Sequence, residues 1–115
     1  MADRIEEFRQ RREKLNANIL KRGNINVKRF FGIDTAAYRD GALDAKTKEL
    51  LGLATSTVLR CDDCITYHLI RCAEEGVTDA EMDETMTVAL VVGGSITIPH
   101  LRRAYDLWDE IHQEK

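Results

Sequence analysis

Cys61-Asp62-Asp63-Cys64-Ile65-Thr66-Tyr67-His68, with Glu49 twelve residues before the first cysteine, is the stretch that decides how this chain is read. Two thiols, an imidazole and a carboxylate are the parts of a thiol redox centre. On a helix, Cys61, Cys64 and His68 fall at i, i+3 and i+7, so all three share one face. If the preceding segment is an antiparallel helix and the chain turns near Leu59, positions whose numbers sum to a constant lie opposite each other. Glu49 and His68 then become partners across the hairpin, with Cys64 one turn along from His68.

Working outward, the chain reads as helices separated by glycines, with Pro99 its single proline. A first helix is expected from about Asp3 to Arg22, with Ile5, Phe8, Leu15 and Ile19 on a loose apolar stripe and Gly23-Asn24 as its stop. A second segment covers about Asn26 to Arg39, and Gly32 and Asp34 suggest two pieces. Asp40-Gly41 is a turn. Asp44 suits the N-cap of a third helix that runs to about Leu59, with Leu50, Leu53, Ala54 and Val58 as its apolar face. A fourth helix starts near Cys61 and ends at Gly76. Thr78-Asp79-Ala80-Glu81 is a capping box that opens a fifth helix through Val92. Gly93-Gly94-Ser95 breaks the chain. Pro99 suits the first turn of a last helix carrying Leu101, Tyr105, Leu107, Trp108 and Ile111. The expectation is an all-α single domain over residues 1–115, a bundle of about six helices. Residues 1–40 form the N-terminal helices and 43–112 the core, built on the antiparallel hairpin.

At 115 residues the chain supports one modest core. A hydrophobic fraction of 43% and a charged fraction of 32% fit an ordinary soluble protein. The net charge of −3 gives no basic excess, so neither nucleic acid nor an anionic membrane is an expected partner. The basic residues between Arg9 and Lys14 are interrupted by Glu13 and read as a solvated helix face. The opening residues lack an apolar signal region, and Val88–Ile98 is too short and glycine-broken to span a bilayer. A cytoplasmic location is the expectation. In a reducing compartment, a Cys-x-x-Cys pair is catalytic or metal-binding more often than a structural staple.

A cysteine reacts as its thiolate, and a free thiol pKa of about 8.5 leaves little of it at neutral pH. Cys61 and Cys64 lie in the first turn of the fourth helix, where free N–H groups and the macrodipole favour an anion. His68 can take a proton from Cys64, and Glu49 can orient and charge-stabilise the imidazole. Asp62 and Asp63 oppose this as carboxylates beside the thiols. The residues alone leave open which cysteine is the more acidic. Two thiols at this spacing can close to a disulfide after one becomes a sulfenic acid, and an external dithiol must then reduce it.

A zinc site is the main competing chemistry. Cys61-x2-Cys64-x3-His68-x3-Cys72 has inner spacings one residue too tight for a zinc knuckle. On one helix its end ligands would lie about 16 Å apart, far beyond zinc–sulfur bonds of about 2.3 Å. A set made of Cys61, Cys64, His68 and Glu49 remains as an alternative. Cys72 reads as a core thiol. His100 and Arg102 are candidates for binding a carboxylate substrate, with surface placement as the plainer reading.

The spaced set Glu49, Cys61-x-x-Cys64 and His68 resembles the motif of alkylhydroperoxidase D-like proteins of the carboxymuconolactone decarboxylase superfamily. Lys48-Glu49-Leu50-Leu51 and Gly93-Gly94-Ser95…Pro99 resemble small members of that group, and the likeness covers about Leu43 to Trp108. It implies an all-α fold, a homotrimer or homohexamer, and no metal or organic cofactor. It implies Cys64 as the peroxidatic cysteine, Cys61 as the resolving one, and His68 and Glu49 as the proton relay. The substrate would be a hydroperoxide, entering an apolar pocket with Leu53, Thr57, Ile65 and Tyr67 as candidate walls. The reductant would be a dithiol protein of thioredoxin-like or lipoyl type. The chain departs from the pattern at Asp63, where the peroxidases proper carry a histidine; this weakens the case for high peroxidase activity and favours a broader disulfide reductase role. The alternatives are a decarboxylase-like enzyme acting on a lactone acid and a zinc-binding or assembly module. Oligomerisation is expected through Phe8, Leu15, Leu107 and Trp108.

Overall fold

The computed structural model describes residues 4–113, which contain six α-helices, one 3₁₀ turn and no strand. The expected first-helix start at Asp3 lies outside the described residues. The helices are α1 (Arg4–Leu20), α2 (Ile25–Ala37), α3 (Ala45–Val58), α4 (Asp62–Glu74), α5 (Asp79–Gly93) and α6 (Ile98–Gln113). The chain divides between Arg39 and Asp40 into two compact units.

The first unit holds α1 and α2. Ile5 is buried in α1 and no residue of α2 is buried. Asn24 caps α2, its side chain accepting from the N–H groups of Asn26 and Val27. The helix runs unbroken through Gly32 and Asp34, against the expectation of two pieces. A single interior glycine costs about 1 kcal/mol relative to alanine, which one well-capped helix tolerates.

The second unit is built from α3 to α6. Helix α3 packs on both α4 and α5, and α4 packs on α6. Asp44 caps α3 through the Thr47 N–H. The capping box of α5 is complete: Thr78 Oγ1 accepts from the Glu81 N–H at 3.1 Å, and Glu81 Oε1 accepts from the Thr78 N–H at 2.9 Å. Lys46 Nζ reaches the same glutamate at 2.9 Å and ties α3 to α5. Leu53, Leu69, Met82 and Met86 are fully buried at the centre. Trp108 joins them, its Nε1–H donating to Asp79 Oδ1 at 2.8 Å.

Two expectations about apolar faces change. The buried side of α3 is Glu49, Gly52, Leu53, Ser56 and Thr57, a face of small and polar residues, while Leu50 and Val58 are only partly covered. Leu107 and Trp108, expected to serve an interface, are buried within the chain. Leu15, also expected at an interface, is exposed, and in the second unit exposed apolar side chains include Leu43, Leu51, Leu59, Val88, Val91, Val92 and Ile96.

Candidate redox site

Helix α3 must stop and reverse within three residues to place the cysteines. The Arg60 N–H bonds to the Thr57 carbonyl at 3.0 Å, and the Cys61 N–H to the Ser56 carbonyl at 3.1 Å. This is the paired closure of a Schellman stop, whose left-handed position usually belongs to glycine. Here Arg60 occupies it, with φ of 62°. Cys61 therefore closes α3 with its N–H and caps α4 with its side chain: its Sγ accepts from the Cys64 N–H at 3.3 Å. Cys61 and Cys64 are joined in a disulfide, with Cα atoms 5.3 Å apart. Cys64 is exposed and Cys61 only partly so.

Glu49 and His68 meet across the α3–α4 hairpin. His68 Nδ1 lies 2.8 Å from Glu49 Oε1, and both side chains are buried. A buried carboxylate needs compensating partners. The second Glu49 oxygen faces Arg71, whose Nε is 3.5 Å from Oε2. Arg71 is itself held by Glu74 and Glu75. A carboxylate can only accept, so the Nδ1–H of His68 donates to Glu49. This fixes the tautomer and leaves Nε2 as the proton acceptor of the neutral ring. The ring lies flat across Gly52: a Cβ there would fall 2.6 to 2.9 Å from Cε1, Nε2 and Nδ1. Tyr67 stands edge-on to the same ring, with centroids 5.3 Å apart.

The sequence reading missed a second cluster. His100 is not a bare surface residue: its Nδ1 lies 2.7 Å from Asp62 Oδ1, linking the start of α6 to the start of α4. Arg103 Nη2 is 3.1 Å from Asp62 Oδ2. Partial burial pushes the Asp62 carboxyl up, but the hydrogen bond and charge of His100, with Arg103, outweigh it and hold its pKa below the ordinary value. The one sequence signal was a histidine in the turn after Pro99. Arg102, paired with His100 as a candidate, is exposed.

Of two other expectations, Cys72 as a core thiol holds and the pocket walls do not. Cys72 is fully buried, and burial, reinforced by the Glu49 charge, pushes its thiol up to about 12. Leu53 and Thr57 have no exposed surface and Ile65 almost none. They are core residues and cannot wall an open pocket, because helix packing turned that face of the hairpin inward; Tyr67 is partly exposed. Among the described residues, no group of three or more His, Cys, Asp or Glu converges as metal ligands would.

The sequence profile of the carboxymuconolactone decarboxylase family matches residues 26–107. The chain belongs to the carboxymuconolactone decarboxylase family. Two crystal structures of a family protein from Thermotoga maritima share 57% identity with it. They superpose with TM-scores of 0.93 and 0.90, covering 95% and 93% of this chain and 96% and 91% of theirs. Involvement in an antioxidative response has been suggested for that protein. The apo form of a family protein from Legionella pneumophila is 28% identical, with a TM-score of 0.84 over 95% of this chain and 97% of its own. An uncharacterised protein of the cox locus of Paracoccus denitrificans is 32% identical over 82 residues, 71% of this chain and 74% of that protein. These likenesses place the helix hairpin and its Cys-x-x-Cys helix start in a family fold.

Proposed function

We propose that this protein is a thiol-dependent peroxidase and disulfide oxidoreductase, with Cys64 peroxidatic, Cys61 resolving, and His68 and Glu49 as the proton relay. The observation that carries the reading is the buried Glu49–His68 pair on the same hairpin as the Cys61–Cys64 disulfide. Packing alone gives little reason to bury a carboxylate here; orienting an imidazole gives a strong one.

In the proposed cycle the Cys64 thiolate attacks the terminal oxygen of a hydroperoxide. The O–O bond breaks, Cys64 becomes a sulfenic acid, and the alcohol leaves with a proton delivered through the relay. The Cys61 thiolate then attacks the Cys64 sulfur, forming the disulfide and releasing water. A dithiol returns two electrons and two protons. Exposure makes Cys64 the sulfur that an incoming thiolate can reach. Cys61 is then the leaving thiolate, and its place at the helix start, accepting the Cys64 N–H, suits that role. Asp63 stands where the related peroxidases carry a histidine, which favours disulfide exchange over fast peroxide turnover.

The partners that follow are an organic hydroperoxide and a thioredoxin-like or lipoyl-type dithiol protein, in the cytoplasm. A homotrimer or homohexamer would cover Val88, Val91 and Val92, which are at least 60% exposed. No described helix is long and apolar enough to cross a membrane.

The test is peroxide-dependent oxidation of a dithiol by the wild type, Cys64→Ser and Cys61→Ser, with a sulfenic-acid trap. Cys61→Ser should accumulate a trapped Cys64 sulfenic acid, and Cys64→Ser should consume no peroxide. Turnover of a lactone acid that survives loss of both cysteines would instead favour a decarboxylase.

A further inference from the structure

Asp62 lies between the two cysteines, at the first position of α4, and a carboxylate there opposes thiolate formation. The structure does not leave that charge open. His100 and Arg103, one turn apart at the start of α6, take one carboxylate oxygen each, at 2.7 and 3.1 Å. Arg103 Nη2 also lies 3.2 Å from His100 Nδ1. With the Nδ1–H given to Asp62 Oδ1, the arginine hydrogen serves Oδ2, and the three groups form one closed cluster. Its two basic members come from 38 residues and more down the chain.

We propose that His100 and Arg103 are positioning residues for the redox pair, which cancel the Asp62 charge and so keep a reduced cysteine reactive as an anion. The inference rests on the redox reading above and adds a device that the cysteine motif does not contain. It also explains how a Cys-x-x-Cys pair can carry an aspartate at its second position: one acid is neutralised from α6, and Asp63 alone still acts against the thiols.

A bare structural staple would join the same atoms, so the test separates charge from attachment. The full chain is reduced and freed of reductant. Iodoacetamide alkylation of Cys61 and Cys64 is then followed at pH 7 by peptide mass spectrometry. The variants are His100→Gln/Arg103→Gln, Asp62→Asn, and all three together, each checked for helix content by circular dichroism. The double variant exposes the Asp62 charge and should slow alkylation of the faster cysteine about three- to tenfold. Asp62→Asn removes both charge and staple, and should alkylate as fast as the wild type or faster. The triple variant should recover the wild-type rate. If the double variant does not fold, Arg103→Gln alone, at an exposed position, should show the same slowing at smaller size.

Equal slowing by Asp62→Asn and by the double variant would mean a structural staple and overturn the proposal. So would unchanged rates throughout. Alkylation needs no peroxide, so a wild type that alkylates normally yet forms no disulfide with hydroperoxide would overturn the peroxidase function while leaving disulfide exchange and this result standing.

Discussion

Replacing Gly52 by alanine should reverse the usual sign of that substitution. In an ordinary helix interior, Gly→Ala gains about 0.5–1 kcal/mol, mainly by restricting the unfolded chain. At Gly52 the new methyl would lie 2.6 Å from His68 Cε1 and 2.8 Å from Nε2. Carbon contacts are comfortable at about 3.5–4.0 Å, so the ring must retreat by about 1 Å. His68 is buried and tied to Glu49, so the retreat either overpacks the core, at about 1–3 kcal/mol, or breaks a hydrogen bond to a buried carboxylate, at a similar cost. The net expectation is a loss of about 1–3 kcal/mol in urea unfolding of the full chain. Gly32→Ala is the internal control: it is also mid-helix, with nothing within 4 Å of the added Cβ. It should gain about 0.5–1 kcal/mol. Displacing the imidazole should also slow peroxide-driven disulfide formation by about ten- to a hundredfold, while Gly32→Ala leaves it unchanged. A Gly52→Ala protein that is more stable than wild type, with an unchanged oxidation rate, would refute both the ring placement and the relay.

Other expectations follow from the same geometry. Cys72, with its thiol pushed up to about 12 by burial foremost, stays protonated over the working range; native protein at pH 8 should leave it unalkylated until denaturant is added. Asp62 has a depressed pKa, so its pairing stabilises the fold above the ordinary carboxylate value and is lost as pH falls through the folded one. Stability should therefore drop below about pH 4 by less than about 1 kcal/mol in wild type, and Asp62→Asn should lack that portion of the drop. Arg60 holds a left-handed conformation that costs a side chain about 1–2 kcal/mol. Arg60→Gly should gain about 1 kcal/mol in thermal or urea unfolding, and an unchanged or lower stability would refute the strain.

The sequence made the helices legible where caps are local. Asp44, Thr78 with Glu81, Gly23 and Gly76 each act within a few residues of the backbone they terminate. The Glu49–His68 contact was legible too, because an antiparallel hairpin of known turn position has only one register. The α3 stop was placed near Leu59 without its mechanism, since Arg60 does the work of a glycine and carries no signal. Gly52 read as an ordinary helix position because its role exists only once a ring from α4 lies over it. The Asp62–His100–Arg103 cluster joins residues far apart in the chain, and no periodicity encodes that meeting. Val88–Val92 is apolar on every side, so its pattern did not say which side faces out. Trp108 and Leu107, large and apolar, suggested an interface, yet both are buried within one chain, on a helix that packs against α4.

The most direct test of the central claim is peptide mapping of the fully reduced, metal-free protein before and after one equivalent of an organic hydroperoxide. The account predicts rapid formation of the Cys61–Cys64 disulfide with Cys72 still a free thiol. Cys61 and Cys64 both remaining reduced, over a time in which free cysteine is oxidised, would contradict it.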